Sequence, residues 1–205
     1  MKKILVLATT ATAILVGAAA EARKFDGPYV GLAYGYGYNN LKMSVSGDTP
    51  TNKHHKGGES ELHALLGWGK FMCSNYYGLE LRGGRDFFKK KKDGDKLSAG
   101  WTYGLGARVG RVFNNDWLAF FRLGVDRTEY EFKYTHSTVG YKDNMRTWSI
   151  VPGVGMEYAF NEMFNVGLSY EYSIGFTAQG YKGDHYKVSR LPRNHHGRVS
   201  FTFVF

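Results

Sequence analysis

The chain has 205 residues, a formal charge of +9, 27 glycines, four prolines and 16% aromatic residues. One cysteine, Cys73, excludes a disulfide-stapled scaffold. Beyond the first 22 residues no stretch approaches the roughly 18 consecutive apolar residues that a membrane helix needs.

In chain order, the first feature is Met1-Lys2-Lys3, followed by an apolar run from Ile4 to Ala20 and then Ala20-Glu21-Ala22. A basic start, an apolar centre and an A-x-A site form the three parts of a secretory signal peptide. Cleavage is expected after Ala22, leaving one domain over 23–205. Cleavage after Ala20 and an uncleaved anchor helix are the weaker alternatives.

Eight segments then alternate at period two, the signature of strands with one apolar face. "PYVGLAYGYGY" sets Val30, Leu32, Tyr34, Tyr36 and Tyr38 on one side. "ELHALLGWG" groups Leu62, Ala64, Leu66 and Trp68, and "NYYGLELRGG" groups Tyr77, Leu79 and Leu81. "GWTYGLGARVGR" is the cleanest, with Trp101, Tyr103, Leu105, Ala107 and Val109 opposing Thr102, Gly104, Gly106, Arg108 and Gly110. "WLAFFRLGVD", "WSIVPGVGMEY" and "NVGLSYEYSIG" repeat the pattern. The last strand sets Val199, Phe201, Phe203 and Phe205 on one face. Pro152, inside the sixth segment, predicts a bulge or a rim position there, because proline cannot donate to a ladder.

Connections after the second, fourth and sixth strands are short: "KFMCSN", "FNND" and "FNEMF". Those after the first, third, fifth and seventh are long and polar, over 39–60, 85–98, 129–146 and 176–195. Short–long alternation around an even strand count predicts an all-β fold: an eight-stranded antiparallel transmembrane β-barrel with short periplasmic turns and long extracellular loops. The apolar faces carry no ionised residue, as lipid contact requires. The opposite faces carry Glu80, Asp126, Glu157 and Glu171 with Arg82, Arg108, Arg122 and Arg198. An eight-stranded barrel is narrow enough for side chains to fill, and charges buried there must be paired. The expectation is a lumenal charge network rather than a catalytic carboxylate pair.

The long loops hold most of the positive charge, including Lys89, Lys90, Lys91 and Lys92. A basic crown suits the phosphates of lipopolysaccharide, or a host or environmental surface ligand, and nucleic acid is not an expected partner. His54-His55 and His195-His196 invite a metal reading, but adjacent strand residues point to opposite faces and no acid or cysteine joins them at ligand spacing. No metal and no cofactor is expected. "THST" around His136 is weak evidence for hydrolase chemistry with Ser137.

"PYVGLAYGYGY", "VPGVGMEYAF" and the terminal "VSFTFVF" resemble the OmpA/OmpX-like outer-membrane barrel superfamily, which includes opacity-protein and porin-like surface antigens. The resemblance spans the mature chain and specifies the barrel far better than an activity. It implies that Val199, Phe201, Phe203 and Phe205 form the signal read by the barrel-assembly machinery, and that the chain resides in the bacterial outer membrane. The function expected is non-enzymatic, in envelope structure or surface interaction. A small porin-like channel is the alternative, and a lipid A-modifying enzyme a weaker one.

Overall fold

The computed structural model describes residues 24–45, 51–87, 89–92, 95–136, 139–179, 186–187 and 193–205; side chains are described for 24–38, 57–87, 98, 100–131, 146–176 and 193–205. The expected signal peptide and cleavage site lie outside these residues. Eight long strands form the wall: β1 (Gly27–Val45), β2 (Thr51–Met72), β3 (Asn75–Asp86), β5 (Asp95–Phe113), β6 (Trp117–His136), β7 (Val139–Ala159), β8 (Phe164–Gln179) and β10 (Arg193–Val204). Two short segments extend it. β4 (Lys89–Lys92) pairs with β5, and β9 (Tyr186–Lys187) pairs with the end of β1. Each long strand pairs antiparallel with its neighbour in chain order. β1 then pairs with β10 from Tyr29↔Val204 to Asn40↔Arg193, which closes the barrel and leaves no edge.

One row of paired residues shows why the closed wall suits lipid. Val30 pairs with Leu66, Leu66 with Leu81, Leu81 with Leu105 and Leu105 with Val125. The row runs on through Ile150 and Ile174 to Arg193, and returns to β1 at Asn40. From Val30 to Asn40 the wall is staggered by ten residues per circuit, which forces the strands to tilt as a closed barrel demands. Seven successive members of the row are aliphatic, and Leu105 is 57% exposed. Aromatics flank this belt. Trp101 and Tyr103 stack towards the long-loop end at 6.3 Å, and Trp117 packs on Tyr158 at 4.8 Å towards the turn end. An apolar belt between aromatic girdles is the outer surface of a membrane barrel.

The short turns follow from local chemistry. Asn114 and Asn115 take φ of 49° and 61°, and asparagine tolerates this left-handed conformation better than most residues. Cys73 and Ser74 do the same at the β2–β3 turn, with φ of 48° and 71°. In the β7–β8 turn the Asn161 side-chain oxygen accepts from the amides of Met163 and Phe164, both at 2.8 Å, and so replaces a ladder carbonyl.

Two expectations are corrected. The ladder reaches far into stretches expected as loops: β1 and β2 pair out to Val45↔Thr51, and β6 and β7 to His136↔Val139. Beyond the membrane both faces of a strand meet water. No apolar period then marks it, while backbone pairing still satisfies N–H and C=O groups. Pro152 sits in regular register opposite Leu123 and makes no bulge; the irregularity with β8 lies at Trp148/Ser149. Towards β8 the pairing runs from Ile150↔Ile174 to Gly153↔Glu171 with the intervening positions unpaired. The missing proline donor therefore opens the ladder locally without shifting it.

Candidate functional site: the charged barrel interior

Inward positions alternate with the lipid-facing ones and divide the lumen into levels. At the turn end Phe25, Tyr76, Leu118 and Ala159 form a buried apolar floor, against which Val112 and Phe120 pack. Above it lie Glu80, Arg82, Arg108, Arg122, Asp126, Glu157, Glu171 and Arg198, none more than 6% exposed.

The eight interlock. Arg108 bridges Glu157 and reaches Glu80 at 3.5 Å, and its guanidinium lies 3.9 Å from the Phe120 ring centre. Tyr29 donates to Glu80 at 3.1 Å, and the Nε of Arg122 donates to the same carboxylate at 3.0 Å. Arg82 forks onto Asp126 and donates to Glu171 at 2.7 Å. Glu171 also meets Arg198, and Arg122 at 3.6 Å. Each guanidinium thus meets two carboxylates on different strands, a geometry that suits its planar set of donors.

Glycine makes room for this. A Cβ on Gly106 would stand 2.8 Å from the Arg122 guanidinium carbon, and one on Gly124 would stand 2.6 Å from its Nη1. The guanidinium therefore lies between two bare backbone positions. Among the described residues, one cavity of about 30 Å³ is lined by Arg82, Arg122, Glu171 and Arg198 among others, room for about two water molecules.

Reasoning from sequence missed a third level, towards the long-loop end. Glu59, Glu61, His63, Asp86 and His196 are also buried and inward. Arg198 forks onto Glu61, with its Nη2 at 3.1 Å, and the Nδ1 of His196 lies 3.2 Å from the same carboxylate. The Nε2 of His63 lies 3.0 Å from Asp86, and Thr102 donates to Asp86 at 2.6 Å. Seven carboxylates and four guanidiniums are buried here among the described residues. A period-two reading of "ELHALLGWG" with its inward side included would have found Glu61 and His63.

The other expected site residues are placed as follows. Val199 and Phe201 face outwards, and Phe205 packs on Phe203 at 4.7 Å, which packs on Phe164 at 5.0 Å. Lys89, Lys90, Lys91 and Lys92 form β4, but their side chains lie outside the described residues. So do the side chains of His54, His55 and His136, and the whole of Ser137. The neighbours His195 and His196 point to opposite faces, with the His195 ring outside, 4.6 Å from that of Tyr172. Cys73 is exposed at its turn.

Comparison with known proteins agrees with this architecture. The family model described as the outer membrane protein beta-barrel domain matches residues 5–191. A 25 kDa outer-membrane immunogenic protein of Brucella ovis is 35% identical over 95 residues, which are 46% of this chain. The match spans 44% of that relative's length, and 42% of the length of its Brucella abortus counterpart. Among solved structures, the outer membrane protein OprG of Pseudomonas aeruginosa superposes with a TM-score of 0.57 at 12% identity, over 88% of this chain and 97% of that one. Ail, the attachment invasion locus protein of Yersinia pestis, gives 0.51 at 14% identity, over 88% and 99%. At these identities the likeness is one of fold.

Proposed function

Because this chain belongs to the outer membrane protein β-barrel family, we propose that it is a non-enzymatic wall protein of the outer membrane that acts through its outer loops rather than its interior. One observation carries the reading: Arg82, Arg108, Arg122 and Arg198 cross the lumen and are tied to carboxylates on other strands. A permeating solute would have to break several buried ion pairs, each broken pair costing about 3–5 kcal/mol. The same pairing ties Glu80, Asp126, Glu157 and Glu171 to guanidiniums, a structural rather than a general acid–base arrangement. Function then falls to the loop end. There Lys89 to Lys92 supply a positive run suited to lipopolysaccharide phosphates or to an acidic ligand on another surface. On this reading the terminal strand, with Phe201, Phe203 and Phe205 outward, is what the barrel-assembly machinery reads.

Planar-bilayer recording tests the proposal. The purified protein should give no steady unitary conductance, while a porin control in the same bilayer does. Reproducible openings from the folded protein would replace the wall-protein reading with the small-channel one.

A further inference from the structure

The loop-end level of the lumen holds an arrangement that structural pairing alone leaves incomplete. Glu61 and Asp86 are direct cross-strand partners on β2 and β3, and both point inwards, 1% and 6% exposed. Like charges directly opposite each other destabilise a sheet, more so away from water. The next inward position on β2 is His63, opposite Gly84, where an added Cβ would collide with the imidazole ring. The ring therefore lies across the bare backbone of β3, beside the two carboxylates.

The chemistry is that of a cation site. One ligand atom from each of Glu61, His63 and Asp86 lies within 4.8 Å of the others, and all three side chains are buried. The 3.0 Å between His63 Nε2 and Asp86 Oδ1 is a hydrogen-bond separation, and the pair needs to part by only about 0.4 Å to hold a tetrahedral zinc ion at about 2.1 Å from each. His63 is 1% exposed, and with its Nδ1 buried and unpartnered, Asp86 on Nε2 is the ring's one hydrogen-bond partner among the described residues. No guanidinium lies within 4 Å of Asp86 among the described residues, whose bonding partners are an imidazole and the Thr102 hydroxyl. Glu61 has lone pairs to spare beyond Arg198 and His196, whose Nδ1 lies 3.2 Å from it.

We propose that Glu61, His63 and Asp86 bind one divalent transition-metal ion inside the loop end of the barrel. Imidazole with carboxylates selects zinc, or a neighbouring first-row ion, over calcium and magnesium. The ion supplies the counter-charge that Asp86 lacks beside the Arg198-paired Glu61, and ties β2 to β3. This goes beyond the wall-protein reading and is independent of it, since a conducting barrel could hold the same ion.

The test uses the full barrel refolded in detergent and stripped with chelator. Calorimetric titration with Zn²⁺ should give one site per chain, with affinity lowered about tenfold or more in Asp86→Asn and in His63→Gln. His195→Ala, altered on the outer face, should bind like the parent. Co²⁺ titrated into the unaltered protein should develop the visible bands of a low-symmetry site, a readout that needs no variant. Gel mobility before and after heating shows that each variant is folded. A folded parent protein that takes up neither Zn²⁺ nor Co²⁺ overturns the proposal. So does binding unchanged in both ligand variants.

Discussion

Glu80 offers the sharpest test of the interior. Its carboxylate is 6% exposed and accepts from Tyr29 at 3.1 Å and from the Nε of Arg122 at 3.0 Å, while Arg108 approaches at 3.5 Å. Glu80→Gln keeps the shape and one acceptor oxygen but sets an NH₂ group against a guanidinium, donor facing donor. Arg108 retains Glu157, and Arg122 retains only Glu171 at 3.6 Å. One charge-assisted bond lost outright and a second weakened, at about 1.5–3 kcal/mol each, give an expected loss of about 3–5 kcal/mol. Urea titration in lipid vesicles, read by tryptophan emission, measures it, with gel mobility of unheated samples as a second probe. The solvent-exposed pair Lys70–Asp26, 3.2 Å apart with Lys70 59% exposed, is the control, and Lys70→Gln should cost under about 1 kcal/mol. Adding Arg122→Met to Glu80→Gln should recover part of the loss, because it removes the cation left with only the distant Glu171. A Glu80→Gln barrel as stable as the parent within about 1 kcal/mol would refute the view that the network holds the lumen together.

The outer wall and the orientation yield two further expectations. Leu105→Arg, in the middle of the aliphatic row, should lose about 2–4 kcal/mol in the same titration; an unchanged midpoint would mean that Leu105 does not face hydrocarbon. Cys73, exposed at the β2–β3 turn, should resist a bulky maleimide on intact cells and react once the outer membrane is permeabilised. Labelling of intact cells would invert the assignment of turns to the periplasm.

The wall was legible in the sequence because lipid imposes a strict rule on every second residue. "GWTYGLGARVGR" shows both faces within one segment, and "FNND" announces a tight turn. Strand ends were not legible: Leu41 to Val45 pair with Thr51 to His55 although the sequence there has no apolar alternation. The interior was read in part. Arg108 and Glu157 stand out against glycine-rich neighbours, whereas Glu61 and Asp86 become partners only through the β2–β3 register. No local pattern states that register, since it depends on the turn at Cys73 and Ser74. For the same reason His63 joins Glu61 and Asp86 only across strands, a grouping that the adjacent pairs His54-His55 and His195-His196 do not show.

The wiring of the lumen also bears on how the barrel reaches its final form. Arg82 comes from β3, Asp126 from β6, Glu171 from β8, Arg198 from β10 and Glu61 from β2. Of these five groups only Arg198 and Glu171 sit on neighbouring strands; the other pairs reach across strands that do not touch. An open sheet of five or six strands would leave these groups hydrated and at no disadvantage, and only rolling up withdraws them from water. A sheet that closed two residues out of step would keep every apolar side chain facing lipid, yet it would strand guanidiniums beside glycine instead of carboxylate. The outer surface cannot detect that error. Only the ion pairs across the lumen distinguish the two registers.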